Sequence, residues 1–232
     1  MDFKILNGVK IYSPISKDEL LVEAIRNNKS LIAVNAEKII NSNTQFKTII
    51  NKNIGYPDGV GAVWALRRAG INNSFKIAGC ELWLDAIKKY YKSKTFYLIG
   101  GTQAVIEKVV LNLKVDYPGI KILNYKNGYI KSEKQSKDLM NDIKSCAPEI
   151  IFVAVGSPSQ EKMMEEMKKN HKGIYVGLGG SFDIYIGDLK RAPKWWIENN
   201  LEWAYRLLKE PSRIKRQIFL IPFLYKLVLR RL

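Results

Sequence analysis

Histidine is almost missing from this chain: His171 is the only one in 232 residues, and there are only two cysteines, Cys80 and Cys146. So few soft ligands, without paired spacing, set aside metal and redox roles, and the cysteines read as reduced, buried thiols of a cytosolic protein. His171 lies between "KKN" and "KG" at a helix end, which favours a surface role over catalysis. No Asp-x-Asp pair occurs anywhere, no internal repeat is visible, and no low-complexity linker divides the first 190 or so residues. No apolar run approaches the ~20 residues needed to span a bilayer. The opening "MDFKILNGVKIYS" carries an acid at position 2 and soon turns polar, so it reads as neither signal nor transit peptide, and the protein is expected to stay on the side where it is made.

What is abundant is positive charge, 38 Lys and Arg against 22 Asp and Glu, for a net +16. Anionic partners are implied: nucleic acid, phosphorylated metabolites or an acidic membrane surface. The excess is densest at the end, where from Arg206 to Leu232 eight basic residues stand against one acid, Glu210. The length suits one large domain, or a domain with an appendage, that needs no disulfide to hold its core.

Short apolar runs alternate with longer segments of helical period. The strand candidates are "LIAVN", "FKIAG", "TFYLIGG", "IKILNY", "IIFVAVG" and "GIYVGLGG". Helix candidates between them include "CELWLDAIKKYYKS", "TQAVIEKVVLNLK", "EKQSKDLMNDIKSC" and "SQEKMMEEMKKN". This alternation predicts an α/β fold, a Rossmann-like, mostly parallel sheet flanked by helices.

Ligands of such sheets bind at the carboxyl ends of the strands. There "YLIGGT" offers Gly100 and Gly101, either to face a phosphate or to make a tight turn. In "VAVGSPSQE", Ser157 and Pro158 suit an N-cap and first helical position, whereas Gln160 brings an amide able to bond a sugar or phosphate. Asp183 follows the glycine run of "VGLGGSFD" at a helix start, Asp58 lies in the Pro57-Asp58-Gly59 turn, and Asn35 follows "LIAV" where a helix cap is the plain reading.

In order and spacing, "NAEKI", "YPDGVGAVWALR", "IAGCELW", "YLIGG", "VAVGSPSQE", "VGLGGSFDIYIGDLKRAPKW" and "NNLEWAYRLLKEPSRIKRQ" resemble the TagA/WecG/CpsF family of bacterial glycosyltransferases, from about Leu31 to Arg216. The resemblance implies an inverting, metal-independent transfer without a cofactor. An acetamido sugar, N-acetylmannosamine or its uronic acid, would pass from a UDP donor to undecaprenyl-diphosphate-linked N-acetylglucosamine in cell-surface polysaccharide or teichoic acid synthesis. Carried over residue by residue, it makes Asp58 the base and Gln160 a positioner of substrate. Asn35, Lys76, Gly101, Tyr129, Asp183 and Arg191 become substrate or UDP contacts, and Arg206, Arg213 and Arg216 contacts to the lipid diphosphate. Two positions depart from the family pattern: Lys76 stands where arginine is common, and Ala33-Val34 where a threonine is often found. Lysine keeps the charge but loses the two-pronged grip on phosphate, which leaves the donor sugar open.

The resemblance divides the chain into a catalytic domain, residues 1–195, and a basic amphipathic appendage, residues 196–232. On a helical wheel Ile214, Ile218, Ile221, Tyr225, Val228 and Leu232 share one side, with Arg213, Arg216, Arg230 and Arg231 away from it. Phe219 and Phe223 fall on the polar side, and Pro222 is expected to kink or divide the helix. Such a segment suits peripheral attachment to an anionic membrane, here the cytoplasmic face of the bacterial cell membrane, and self-association in solution that hides it. A nucleic-acid-binding α/β protein is the rival reading, but aliphatics rather than stacking aromatics interleave the arginines. A dinucleotide oxidoreductase would rest on "YLIGG" alone, whose glycine spacing is incomplete.

Overall fold

A computed structural model describes residues 1–211, 214 and 218–232. In chain order the elements are β1 Asp2–Leu6, β2 Val9–Ser13, α1 Lys17–Arg26, β3 Leu31–Val34, α2 Ala36–Asn41, α3 Thr44–Lys52, β4 Ile54–Pro57 and α4 Val60–Arg68. They continue with α5 Gly79–Tyr90, β5 Thr95–Gly100, α6 Gln103–Asp116, β6 Lys121–Lys126, α7 Glu133–Cys146, β7 Ile150–Ala154, α8 Ser159–Asn170 and β8 Ile174–Gly177. The last four are α9 Ser181–Tyr185, α10 Lys194–Glu198, α11 Glu202–Lys209 and α12 Leu220–Val228. The predicted α/β class is observed: one six-stranded sheet has the order β4-β3-β8-β7-β5-β6, and its β3–β8, β8–β7, β7–β5 and β5–β6 pairings are parallel.

The chain forms two compact units. One comprises residues 17–32 and 79–189. Its central strands β5 and β7 are buried along almost their whole length, as the unbroken apolar runs "FYLI" and "IIFV" require of strands covered on both faces. They pair from Phe96 with Ile150 to Gly100 with Ala154. Trp83 of α5 fills the middle of this core, edge-on to Phe152, Phe182 and Tyr185. β6, at the sheet edge, carries a lysine at each end, Lys121 and Lys126, and is largely exposed; edge lysines discourage further strand pairing.

The other unit comprises residues 1–16, 33–78 and 190–232. It opens on an antiparallel hairpin, β1–β2, that the reading of the sequence did not include, although Asn7-Gly8 between alternating residues signals one. Asn7 and Gly8 both adopt positive φ, 49° and 81°, as a two-residue turn of that hand demands. β4 is buried throughout, and a Cβ at Gly55 would lie 2.7 Å from the Lys10 carbonyl, so the hairpin is seated directly on β4.

Five expectations need correcting. "FKIAG" is not a strand: residues 75–78 are an irregular connection whose one bond to β4, Ile77 N–H to Pro57 C=O at 2.9 Å, makes no ladder, while Gly79 already begins α5. Pro158, not Ser157, is the N-cap of α8, and the Ser157–Pro158 peptide is cis. Cys80 and Cys146 are free thiols but only half-buried. In the tail, Phe223 is 1% exposed instead of lying on a polar, solvated face. The reason is a missing side chain elsewhere: Gly61 of α4 leaves a hollow beside Ala36 of α2, where a Cβ would sit 3.4 Å from the Phe223 ring. Phe223 enters that hollow from α12, and Lys226 adds a 3.4 Å bond to Asn7. Pro222 does not break α12, which begins two residues before it and runs on to Val228, because the first turn of a helix needs no N–H from proline.

Candidate active site

Asn35, Asp58 and Lys76 converge through the backbone. The Asp58 N–H donates to the Val34 carbonyl at 2.9 Å, joining the end of β4 to that of β3, and the Ile77 N–H donates to the Pro57 carbonyl at 2.9 Å. Each of the three residues therefore lies on, or one position from, a group in these two bonds. All three are half-buried. Asn35 serves as the N-cap of α2, its Oδ1 accepting the Lys38 N–H at 2.9 Å, which leaves the Nδ2 end to meet a ligand. Gly59, at φ 94°, is the N-cap of α4 without a side-chain cap bond. That backbone excludes ordinary side chains and lets α4 start immediately beyond Asp58. A carboxylate and an amide just beyond adjoining strand ends, with an ammonium on the connection bonded to one of them, can accept a proton, orient a hydroxyl and neutralise a phosphate.

Gly101 and Tyr129 are brought together in the other unit. The Gly128 N–H donates to the Gly101 carbonyl at 2.9 Å. The crossing is close, since a Cβ at Gly128 would lie 3.2 Å from Gly100 Cα, and β5 itself has no room for a side chain at Gly100, where a Cβ would come within 2.4 Å of the Ala154 carbonyl oxygen. Tyr129 is exposed, and its backbone is set by Asn127, whose Oδ1 accepts the Tyr129 N–H at 3.0 Å while its Nδ2 donates to Gln103 Oε1 at 2.9 Å. A rigid turn thus presents an aromatic ring at the carboxyl end of the sheet, the place where a nucleobase or ribose can be held. Asn127, Gln103 and Gly128 had no part in the reading of the sequence.

Gln160 is 3% exposed, and both ends of its amide are engaged within the same unit. Oε1 accepts the Gly179 N–H at 2.9 Å and Nε2 donates to Glu161 Oε1 at 3.0 Å. Gly177 makes room for it, since a Cβ there would lie 2.7 Å from Nε2. Glu161, wholly buried, was not singled out in the sequence, because an acid in the first turn of a helix is ordinarily solvated. The bond to Gly179 ties Gln160 to the turn that carries Asp183 in the first turn of α9. α9 is held from its far end by the Tyr185 hydroxyl, which donates to Asp116; burial, with that bond, pushes the phenol's pKa above the ordinary tyrosine value. Replacing Gln160 by alanine takes one partner from Glu161 and one from Gly179, at about 1–3 kcal/mol for each group left short. With each kcal/mol worth about 2–4 °C in a chain of this size, a fall of at least several degrees in the thermal midpoint is expected. A scanning-calorimetry midpoint within 1 °C of the parent would show that the amide does not hold this turn.

Arg191 and Arg206 meet through a residue the sequence did not flag. Glu202 of α11 lies 3.6 Å from Arg191 Nε and 2.6 Å from an Arg206 terminal nitrogen. Arg191 and Glu202 are mostly buried, whereas Arg206 is exposed. Arg213 and Arg216 lie outside the described residues.

A parallel sheet with glycine turns after its strands is a frame in which ligands bind at the carboxyl ends of the strands. The chain belongs to the glycosyl transferase WecG/TagA/CpsF family, whose model matches residues 4–232. It is therefore a sugar-transferring enzyme. Among the described residues no helix is long and apolar enough to cross a membrane.

Proposed function

We propose that this protein is an inverting, UDP-sugar-dependent hexosyltransferase. It moves N-acetylmannosamine or a related acetamido sugar or uronic acid onto undecaprenyl-diphosphate-linked N-acetylglucosamine, for cell-surface polysaccharide or teichoic acid, at the cytoplasmic face of the membrane. The observation that carries the reading is the Asn35–Asp58–Lys76 convergence on the ends of β3 and β4. Asp58 takes the proton from the attacking acceptor hydroxyl, because inversion in one displacement needs a base and a carboxylate suits it. Leaving UDP carries charge that Lys76, Arg191 and backbone amides meet, without a cation in the scheme. Tyr129, Gly101 and Asp183 hold the nucleotide; Gln160 keeps the turn before Asp183 in place. Residues 1–195 provide the chemistry. Residues 196–232 bring the enzyme to an anionic surface, with Arg206, Arg213 and Arg216 for the lipid diphosphate and self-association in solution, and nucleic acid is no partner.

The test is to incubate the protein with a panel of UDP-acetamido sugars and lipid-linked N-acetylglucosamine, with chelator present, and to weigh the lipid product. The expected outcome is one added acetamidohexose or its uronate, with UDP released in equal amount. No product from any donor, or product only on adding a divalent cation, overturns the reading.

A further inference from the structure

The docked position of α12 creates a surface that neither helix has alone. Beside α4 it leaves an open groove of about 470 Å³ walled by Trp64, Arg67, Arg68, Leu227 and Val228. Around it Ile221, Tyr225 and Val228, which the wheel placed together, face outward, Ile221 being 71% exposed, and Leu224 and Leu229 are exposed beside them. Trp64, on α4, is 46% exposed and extends the same apolar surface from outside the tail. The two arginines of the wall differ. Arg67 Nε and a terminal nitrogen both donate to the Ser74 carbonyl, at 3.1 and 2.8 Å, so this guanidinium is a fixed wall. Arg68 makes a single 3.2 Å bond to the Val228 carbonyl, which sets its guanidinium at the groove and leaves most of its five N–H donors for a ligand.

We propose that this groove seats an anionic phospholipid of the bilayer, with an acyl chain along Trp64, Leu227 and Val228 and the phosphate at Arg68; this deepens the membrane reading given above and rests on it. Charge decides among occupants. Residues 60–68 and 218–232 contain Arg67, Arg68, Lys226, Arg230 and Arg231 and no aspartate or glutamate. A second copy would set like charges against each other, which disfavours self-pairing here. An acidic peptide would satisfy the cations but leave the apolar surface wet, whereas a lipid satisfies both, with tryptophan and tyrosine at the boundary between headgroup and acyl chain. The tail therefore meets the membrane jointly with α4, and the site of contact includes residues well before the appendage.

The full chain is tested on phosphatidylcholine vesicles with and without phosphatidylglycerol. Arg68→Gln is expected to weaken binding to the anionic vesicles about five-fold, the effect of one basic residue at such a surface. Trp64→Ser is expected to weaken it about ten-fold and Trp64→Phe much less, since the phenyl ring keeps most of the buried apolar area. Lipids brominated on the acyl chain should quench an emission component that Trp64→Phe lacks. Because Trp64 is exposed, its variants should keep the parent thermal midpoint, which separates lost contact from lost fold. Arg68→Gln and Trp64→Ser binding anionic vesicles within two-fold of the parent would overturn the proposal, and so would variants that fail only to bind polyglutamate or only to self-associate. None of these readouts uses sugar transfer, so the groove can fail while the enzymatic reading stands, and the reverse.

Discussion

Asp58→Asn is expected to lower turnover by roughly 10²–10⁴-fold, the usual cost of losing a general base, while UDP binding and the thermal midpoint change little. The substitution is nearly isosteric, and the bonds that define the turn are made by backbone: Asp58 N–H to Val34 C=O and Ile77 N–H to Pro57 C=O, both 2.9 Å. Asparagine keeps both. The positive φ of Gly59 is likewise untouched. What is lost is the ability to hold a proton taken from the acceptor hydroxyl. Turnover by mass spectrometry, set beside UDP affinity by calorimetry, checks the pair of expectations. A variant with near-normal turnover moves the base elsewhere; one that loses turnover and UDP affinity together makes Asp58 a donor contact.

Phe223→Ala carries the second large effect. The ring is 1% exposed in the hollow at Gly61, and truncating a buried phenylalanine costs about 3–5 kcal/mol through lost burial and the cavity left behind. At about 2–4 °C per kcal/mol the midpoint should fall by roughly 6–20 °C, or α12 should detach first, seen as rapid amide hydrogen exchange in Leu220–Val228. Turnover should fall with it. Phe223 meets α2 and α4 near their amino ends, two elements that begin just after Asn35 and Asp58. Gly61→Ala should act in the same direction by a smaller step, because its new methyl would lie 3.0 Å from Ala36 Cβ and 3.4 Å from the ring. Parent-like midpoint and exchange in Phe223→Ala would mean that the last helix is not anchored there.

The alternation of strands and helices was legible because buried parallel strands must be continuous apolar runs, and β5, β7 and β8 are such runs. "FKIAG" misled for the same reason: Ile77 and Ala78 are apolar because they are buried, but only one backbone bond ties them to β4. Asn35, Asp58 and Lys76 could each be named from motifs, yet that they converge depends on hydrogen bonds between residues about twenty positions apart, which no local pattern carries. The partners of Gln160 were illegible because Gly179 is nineteen residues away and a buried Glu161 looks like any solvated helix acid. The tail is the most instructive case. Phe223 spoiled a helical wheel drawn for membrane contact, and it does so because it faces the fold instead, leaving the rest of the apolar face outward.

The role of Asp58 is tested most directly by the pH dependence of kcat/KM in the parent and in Asp58→Asn, with donor saturating and lipid-linked acceptor limiting. A base that must be ionised gives the parent an acid limb of unit slope, and the account expects that limb to vanish in the variant, whose residual rate should be flat with acidity. An identical acid limb in both proteins would contradict it.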